Sequence, residues 1–261
     1  MNGILSDAEV AQFVDAGYVR LRGAFPKALA HECRELLWKD MECDPSNRST
    51  WTRPVVRLGD YAHAPFRMAA NTPLLHEAFD RLVGRGRWLP RGSLGTFPIR
   101  FPSDDDPGDA GWHADAGFYG EDGSMRLNVS SRGRALLMLF LFSDVGVDDA
   151  PTRIRVGSHL DVPRLLSPAG EAGLSFVELA EKLGPQSDRP VELATGEAGD
   201  VYLCHPFLIH AAQPHRGSTP RFMAQPPLIP SEPLRVHRED GAYSPVEIAM
   251  RRGLGLIDLS E

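Results

Sequence analysis

Two side chains one residue apart carry the donor atoms that a divalent metal prefers: His113 and Asp115, in Gly111-Trp112-His113-Ala114-Asp115-Ala116-Gly117-Phe118. In an extended segment this spacing puts both side chains on the same face. A second histidine from elsewhere in the fold would complete a facial set of two imidazoles and one carboxylate. Such a set suits Fe(II), which needs open positions for a cosubstrate and O2. His210 is the best placed third ligand, with His205 and His215 as competitors. His205 follows a strand and reads as a structural hydrogen-bonding residue. His215 sits in a loop and reads as solvent-facing, and His159, after Gly157-Ser158, reads as a turn cap. Arg221 lies eleven positions beyond His210. Its guanidinium would grip the carboxylate of a small acidic cosubstrate through two parallel hydrogen bonds. Arg216, its neighbour, lies in a loop poorly suited to a buried pocket. Alone, His-x-Asp is better read as a surface hydrogen-bonded pair. The distal His and Arg, and Pro151-Thr152-Arg153 with Gly157-Ser158-His159 between them, favour the metal.

These residues need a scaffold, and the apolar periodicity predicts one. Ser6-Asp7-Ala8-Glu9 is a capping-box pattern opening a helix over about 6–15. Residues 18–22 alternate as a strand, and Pro26 opens a helix over about 27–41. Residues 42–60 read as a long loop, of the kind that often covers a binding site. A helix follows over 73–84. From about residue 91, short apolar runs separated by turn signals predict a sandwich or barrel. Within it, 94–101 reads as a strand and the acidic 103–109 as a solvated loop. Ala135–Phe142 is a continuous apolar run suited to a central strand buried on both faces. Strands are expected at 152–156, after Gly199 and from Arg221, with a helical insertion over 162–183. Ser244-Pro245-Val246-Glu247 caps a C-terminal helix over about 244–252, ended by Gly253. The expectation is a single domain over 1–261: a helical part over about 1–90, a β core over about 91–230, and the final helix.

Composition narrows the function. A net charge of −7 argues against a nucleic-acid partner, which needs a basic face. No apolar run is long enough to span a membrane. Met1-Asn2-Gly3-Ile4-Leu5 lacks the pattern of a signal peptide. Cys33, Cys43 and Cys204 are odd in number and form no C-x-x-C pair, as expected of reduced thiols in a cytoplasmic protein.

Four segments resemble the phytanoyl-CoA dioxygenase family of Fe(II)/2-oxoglutarate-dependent oxygenases. They are Leu5-Ser6-Asp7 through Gly17-Tyr18-Val19 to Gly23; Trp112-His113-Ala114-Asp115; Asp149-Ala150-Pro151-Thr152 through Gly157-Ser158-His159; and Gly199-Asp200-Val201 with His205, His210 and Arg221. The resemblance implies a mainly β fold with flanking helices, built on a double-stranded β-helix (jelly-roll) core. It implies Fe(II), 2-oxoglutarate and O2 as cofactors, with 2-oxoglutarate decarboxylated to succinate and CO2. By position, His113, Asp115 and His210 match the iron ligands, Arg221 the arginine on the distal carboxylate of 2-oxoglutarate, and Thr152 a residue lining the cosubstrate pocket. Asp149-Ala150 replaces the usual Asn-Gly, and Val156 the usual Pro, which bears on a turn more than on the metal. Related halogenases replace the carboxylate ligand with a small residue; Asp115 is retained here, which favours hydroxylation.

The substrate side is less defined. Trp51, Arg57, Arg100 and Phe118 are candidate substrate contacts, with Arg53, Tyr61 and Tyr119 near them. For each of them the plainer reading is favoured: surface charge for Arg53 and Arg57, and core packing for Trp51 and Tyr61. The expected protein hydroxylates a small organic molecule as a monomer or homodimer. A divalent-metal hydrolase and a non-catalytic, metabolite-binding jelly-roll are the alternatives. The first leaves Arg221 without a task; the second leaves the ligand set without one.

Overall fold

A computed structural model describes residues 4–184 and 187–257. Of the N-terminal stretch read for a leader, residues 1–3 lie outside the described residues. Helix α1 (Asp7–Ala16) starts at the predicted capping box: Ser6 accepts from the Glu9 N–H, and the Glu9 carboxylate accepts from the Ser6 N–H at 2.8 Å. Gly17, at φ 87°, ends it and turns the chain into β1 (Tyr18–Leu21). Helix α2 (Lys27–Asp40) follows Pro26. The predicted loop over 42–60 contains β2 (Val55–Leu58), a strand whose sequence does not alternate and which exists through pairing with β4. Helices α3 (Ala64–Ala70), absent from the sequence reading, and α4 (Pro73–Leu82) precede β3 (Trp88–Leu89) and β4 (Phe97–Arg100). The β region then runs through β5 (Phe118–Tyr119), β6 (Met125–Leu127), β7 (Leu136–Leu141) and β8 (Arg153–Arg155). The insertion holds α5 (Val162–Leu166), a short β9 (Leu174–Ser175) and α6 (Phe176–Leu183). Strands β10 (Val191–Leu193), β11 (Val201–Cys204), β12 (His210–Ala211), β13 (Met223–Ala224) and β14 (Pro227–Pro230) lead to α7 (Pro245–Leu254).

All strand pairs are antiparallel. The largest sheet has the order β1-β11-β7-β14-β3, with β13 also on β7; a second has the order β10-β8-β12. A single bridge, Arg100 to Arg221, ties β4 to the chain entering β13, and another, His113 to His210, ties the His-x-Asp segment to β12. Leu137, Leu139 and Leu141 of β7 share one buried cluster with Ile154, Tyr202, Cys204, Leu208 and Met223, drawn from both sheets. The alternate residues Leu136, Met138 and Phe140 join the larger core with Phe13, Leu37, Phe79 and Val246 of the helices. Strand β7 is therefore buried on both faces, which accounts for its unbroken apolar run.

The expectation of a mainly β chain is corrected to a mixed α/β one: helices flank the sheets from both ends of the sequence, and no closed barrel forms among the described residues. No helix among them is long and apolar enough to cross a membrane. The C-terminal helix ends at Gly255, in the left-handed region, and not at Gly253. Gly253 is a contact residue instead. A Cβ there would lie 2.8 Å from the Leu160 carbonyl oxygen and 2.7 Å from Pro163 Cγ. His159 does not cap its own turn as expected; it is fully buried and its Nε2 donates to the distant Val14 carbonyl at 3.0 Å.

Helix propensity alone says that Gly253→Ala should stabilise by about 1 kcal/mol. The contacts above reverse the sign, and a loss of ~1–3 kcal/mol is expected from overpacking, measured as a lower denaturation midpoint in urea. Burial pushes His159 down to about 4, the Val14 carbonyl opposing, and pushes His205 beside it well below the ordinary imidazole range. Both are held neutral in the fold and charge once unfolded below about 6.5. Stability should therefore be full above that pH and fall as the pH drops toward 5, by up to about 1.4 kcal/mol per pH unit for each histidine. His159→Gln should flatten this slope in urea titrations at pH 7, 6 and 5; an unchanged slope would count against it.

Candidate metal centre

Strand β12 and the segment before β5 are joined by two reciprocal backbone hydrogen bonds: His113 N–H to His210 O at 3.0 Å, and His210 N–H to His113 O at 2.9 Å. Residues opposed in this way present their side chains on one face, and the two imidazole centroids lie 4.5 Å apart. Asp115, two residues on, shares that face. His113, Asp115 and His210 each offer one donor atom, all within 4.8 Å of one another, enough to hold one metal ion. Both rings are oriented by their own turns. His113 Nδ1 meets the Gly111 carbonyl at 2.9 Å and His210 Nδ1 the Leu208 carbonyl at 3.1 Å. A carbonyl only accepts, so each Nδ1 carries the proton and each Nε2 presents a lone pair. Asp115 Oδ1 lies 3.6 Å and 3.7 Å from those two Nε2 atoms. Burial pushes His210 down to about 4, Asp115 opposing, which keeps it a neutral ligand.

Arg134 completes this arrangement and was missed in the sequence. Its Nη1 lies 3.3 Å from Asp115 Oδ2. The carboxylate is thus divided, Oδ1 toward the histidines and Oδ2 toward the arginine. Burial raises the Asp115 carboxyl, but Arg134, then His210 and His113, outweigh it and hold the group below the usual carboxylate range. The available signal was a charged residue directly before the apolar run Ala135–Phe142, where a buried cation needs a partner.

Arg221 is fully buried, 1% exposed. It donates to the carbonyls of Ala150 and, at 3.1 Å, Pro98, while its Nε has no hydrogen-bond partner among the described residues. Burial, then Arg100, presses it down to about 9, Asp109 opposing. It remains charged at neutral pH and, among the described residues, no carboxylate lies within ion-pair distance. Arg100 is directly opposite on β4, equally buried, and takes Asp109 at 2.6 Å. Ala150 holds φ 52°, a left-handed conformation that glycine adopts freely, so the turn keeps that conformation without the glycine. Buried Thr152 contacts Met223 Sδ at 3.7 Å.

The other candidates separate. Arg57 is exposed and shares Asp109 with Arg100. Trp51 packs on Trp38 and Phe101 and donates to the Asp44 carbonyl at 2.9 Å, and Tyr61 is buried on Phe66 and Phe97; both are packing groups. Phe118 lies under the Arg132 guanidinium in a hollow of about 570 Å³ on the β5–β6 hairpin, which includes no metal-site residue. His205 bonds the Val246 carbonyl and is structural, as expected. His215 is buried, not solvent-facing, because its Nε2 is drawn in by the Thr219 carbonyl at 2.8 Å. A cleft of about 510 Å³ opens directly on Asp115, lined also by Arg91, Thr96, Met125, Arg134 and Gln225.

Solved structures with this architecture include HygX from Streptomyces hygroscopicus with nickel and 2-oxoglutarate bound, at 18% identity and TM-score 0.55, covering 85% of each chain. They also include the α-ketoglutarate-dependent carbocyclase SnoK of nogalamycin biosynthesis, at 18% identity and TM-score 0.56, covering 91% of this chain and 89% of that one. The epimerase SnoN matches at 18% identity and TM-score 0.51, covering 84% and 81%. Likeness at this identity establishes the fold, a cupin-like double-stranded β-helix type. No curated protein sequence matches the chain. The model of the family described as phytanoyl-CoA dioxygenase (PhyH) matches residues 13–223, so the chain belongs to that family of Fe(II)/2-oxoglutarate-dependent oxygenases.

Proposed function

We propose that the protein is an Fe(II)/2-oxoglutarate-dependent dioxygenase that hydroxylates a small organic molecule. The balance is one C–H bond, 2-oxoglutarate and O2 converted to C–OH, succinate and CO2. The observation that carries this reading is the pairing of two aligned Nε2 lone pairs and one carboxylate oxygen with a separate buried guanidinium lacking a counter-ion. Iron, when bound with 2-oxoglutarate and O2, supplies the oxidant. The chain's own residues do the rest. His113, His210 and Asp115 Oδ1 would hold the metal. Arg134 fixes the Asp115 carboxylate so that one oxygen faces the metal. Arg221 would grip the distal carboxylate of 2-oxoglutarate, with Thr152, also buried, as a further pocket residue. Phe176, on α6, packs beside the first ligand with its ring centroid 5.4 Å from that of His113. A hydrolase needs a base beside the metal-bound water; the second Asp115 oxygen is committed to Arg134, and Arg221 would have no task.

Anaerobic addition of Fe(II) and then 2-oxoglutarate should produce a weak visible charge-transfer band only when both are present. Arg221→Met should weaken 2-oxoglutarate about 100-fold, the cost of losing one partner of a buried ion pair; unchanged affinity would remove Arg221 from the site. Arg134→Met should lower Fe(II) affinity ~10–100-fold while leaving the fold intact, as for other groups that orient a metal ligand. Metal titration with circular dichroism as the folding control reads this directly.

A further inference from the structure

The cleft beside Asp115 has a charge pattern that the proposed reaction does not use. Two guanidinium groups, Arg91 and Arg134, line it with Thr96, Gln225 and the apolar Met125. Its volume of about 510 Å³ is that of a small-molecule site. Arg134 is 9% exposed; its Nη1 lies within ion-pair distance of Asp115 and its Nη2 donates to the Ala116 carbonyl at 3.3 Å, while among the described residues neither its buried Nε nor its buried Nη1 has a hydrogen-bond partner. Arg91 is half-buried, and its guanidinium makes one hydrogen bond, from Nε to the Ser93 carbonyl at 3.3 Å. Among the described residues no carboxylate lies within ion-pair distance of it. Burial presses Arg91 below the usual arginine range, Asp60 opposing and Arg134 adding. Asp60, also on the cleft, accepts from Ser93 Oγ at 3.1 Å. Once a metal takes up the Asp115 charge, two cations face one anion there.

We propose that Arg91 and Arg134 bind an oxyanion carried by the substrate, so that the substrate is a small organic acid or phosphate ester whose carbon skeleton lies along Met125, Ala116 and Pro227. The guanidinium fork suits carboxylate and phosphate alike. The anion is distinct from the distal carboxylate of the cosubstrate, because Arg221 does not line this cleft. This inference rests on the function proposed above, in that the cleft opens on Asp115, one of the three ligands, and a bound substrate would reach the centre from that side.

The test uses the Fe(II)-loaded protein saturated with 2-oxoglutarate under anaerobic conditions, with benzoate, phenyl phosphate and neutral benzyl alcohol titrated by calorimetry. At least one anion should bind about ten-fold or more tightly than the alcohol, the scale of a single charge-assisted contact. Preference for benzoate identifies a carboxylic acid, and preference for phenyl phosphate a phosphate ester. Arg91→Gln should remove that preference and Arg91→Lys retain part of it, while the charge-transfer band with 2-oxoglutarate persists in both. Equal binding of the alcohol, no binding of either anion, or an unaltered preference in Arg91→Gln would overturn the proposal. Absence of the band in the wild-type protein strikes the cosubstrate reading instead. Benzoate titrated into wild-type and Arg91→Gln proteins loaded with Zn(II), which takes up the Asp115 charge without the cosubstrate, then still decides whether Arg91 binds the anion.

Discussion

The metal centre depends on one antiparallel bridge. The segment around His113 belongs to no extended strand, and the paired hydrogen bonds with His210 set its register against β12. Once that bridge forms, the alternation of an extended chain delivers Asp115 to the same face, so a single backbone contact places all three ligands. The opposite surface reinforces it. Arg153 donates to the carbonyls of Ala110 at 2.7 Å and Ala212 at 2.9 Å, one from each side of the bridge. The guanidinium groups of Arg153 and Arg155 lie 4.8 Å and 4.4 Å from the Trp112 ring, next to the first ligand. Such contacts hold a short, irregular segment against a sheet.

Charge is distributed around this centre unevenly. Arg100 and Arg221 are direct cross-strand neighbours, and like charges so placed repel. Asp109 relieves Arg100 and leaves Arg221 without an anion. An uncompensated buried charge costs several kcal/mol, a cost that the rest of the fold carries until a carboxylate arrives. The proposed cosubstrate offsets it, which would couple cosubstrate binding to the stability of the β4–β13 junction. Arg134 plays the complementary part, stabilising an anion already in place, so the two arginines support the centre from different directions.

The helices contribute by making the sheet rigid. Strand β7 presents Leu137, Leu139 and Leu141 toward the second sheet and Leu136, Met138 and Phe140 toward the helices. Strand β13, beside it, carries the chain from Arg221, and β11 leads on toward His210. Close packing on both faces of β7 restricts how far the backbone near either functional residue can shift.

The local chemistry was legible in the sequence. His-x-Asp states two ligands through the period of an extended chain, the capping boxes at Ser6 and Ser244 mark helix starts through backbone donors only three residues away, and Ala135–Phe142 declares burial by its composition. The family followed from those motifs in their order. What the sequence could not decide depends on partners distant in the chain. Val55–Leu58 is a strand only because β4 pairs with it, Gly253 is small because Leu160 and Pro163 approach it, and His215 is buried by the Thr219 carbonyl. Arg134 and Arg91 entered the site for the same reason. A guanidinium has no periodicity, and its role is set by which carboxylate or cleft the tertiary fold brings within reach, here Asp115 and the space beside it.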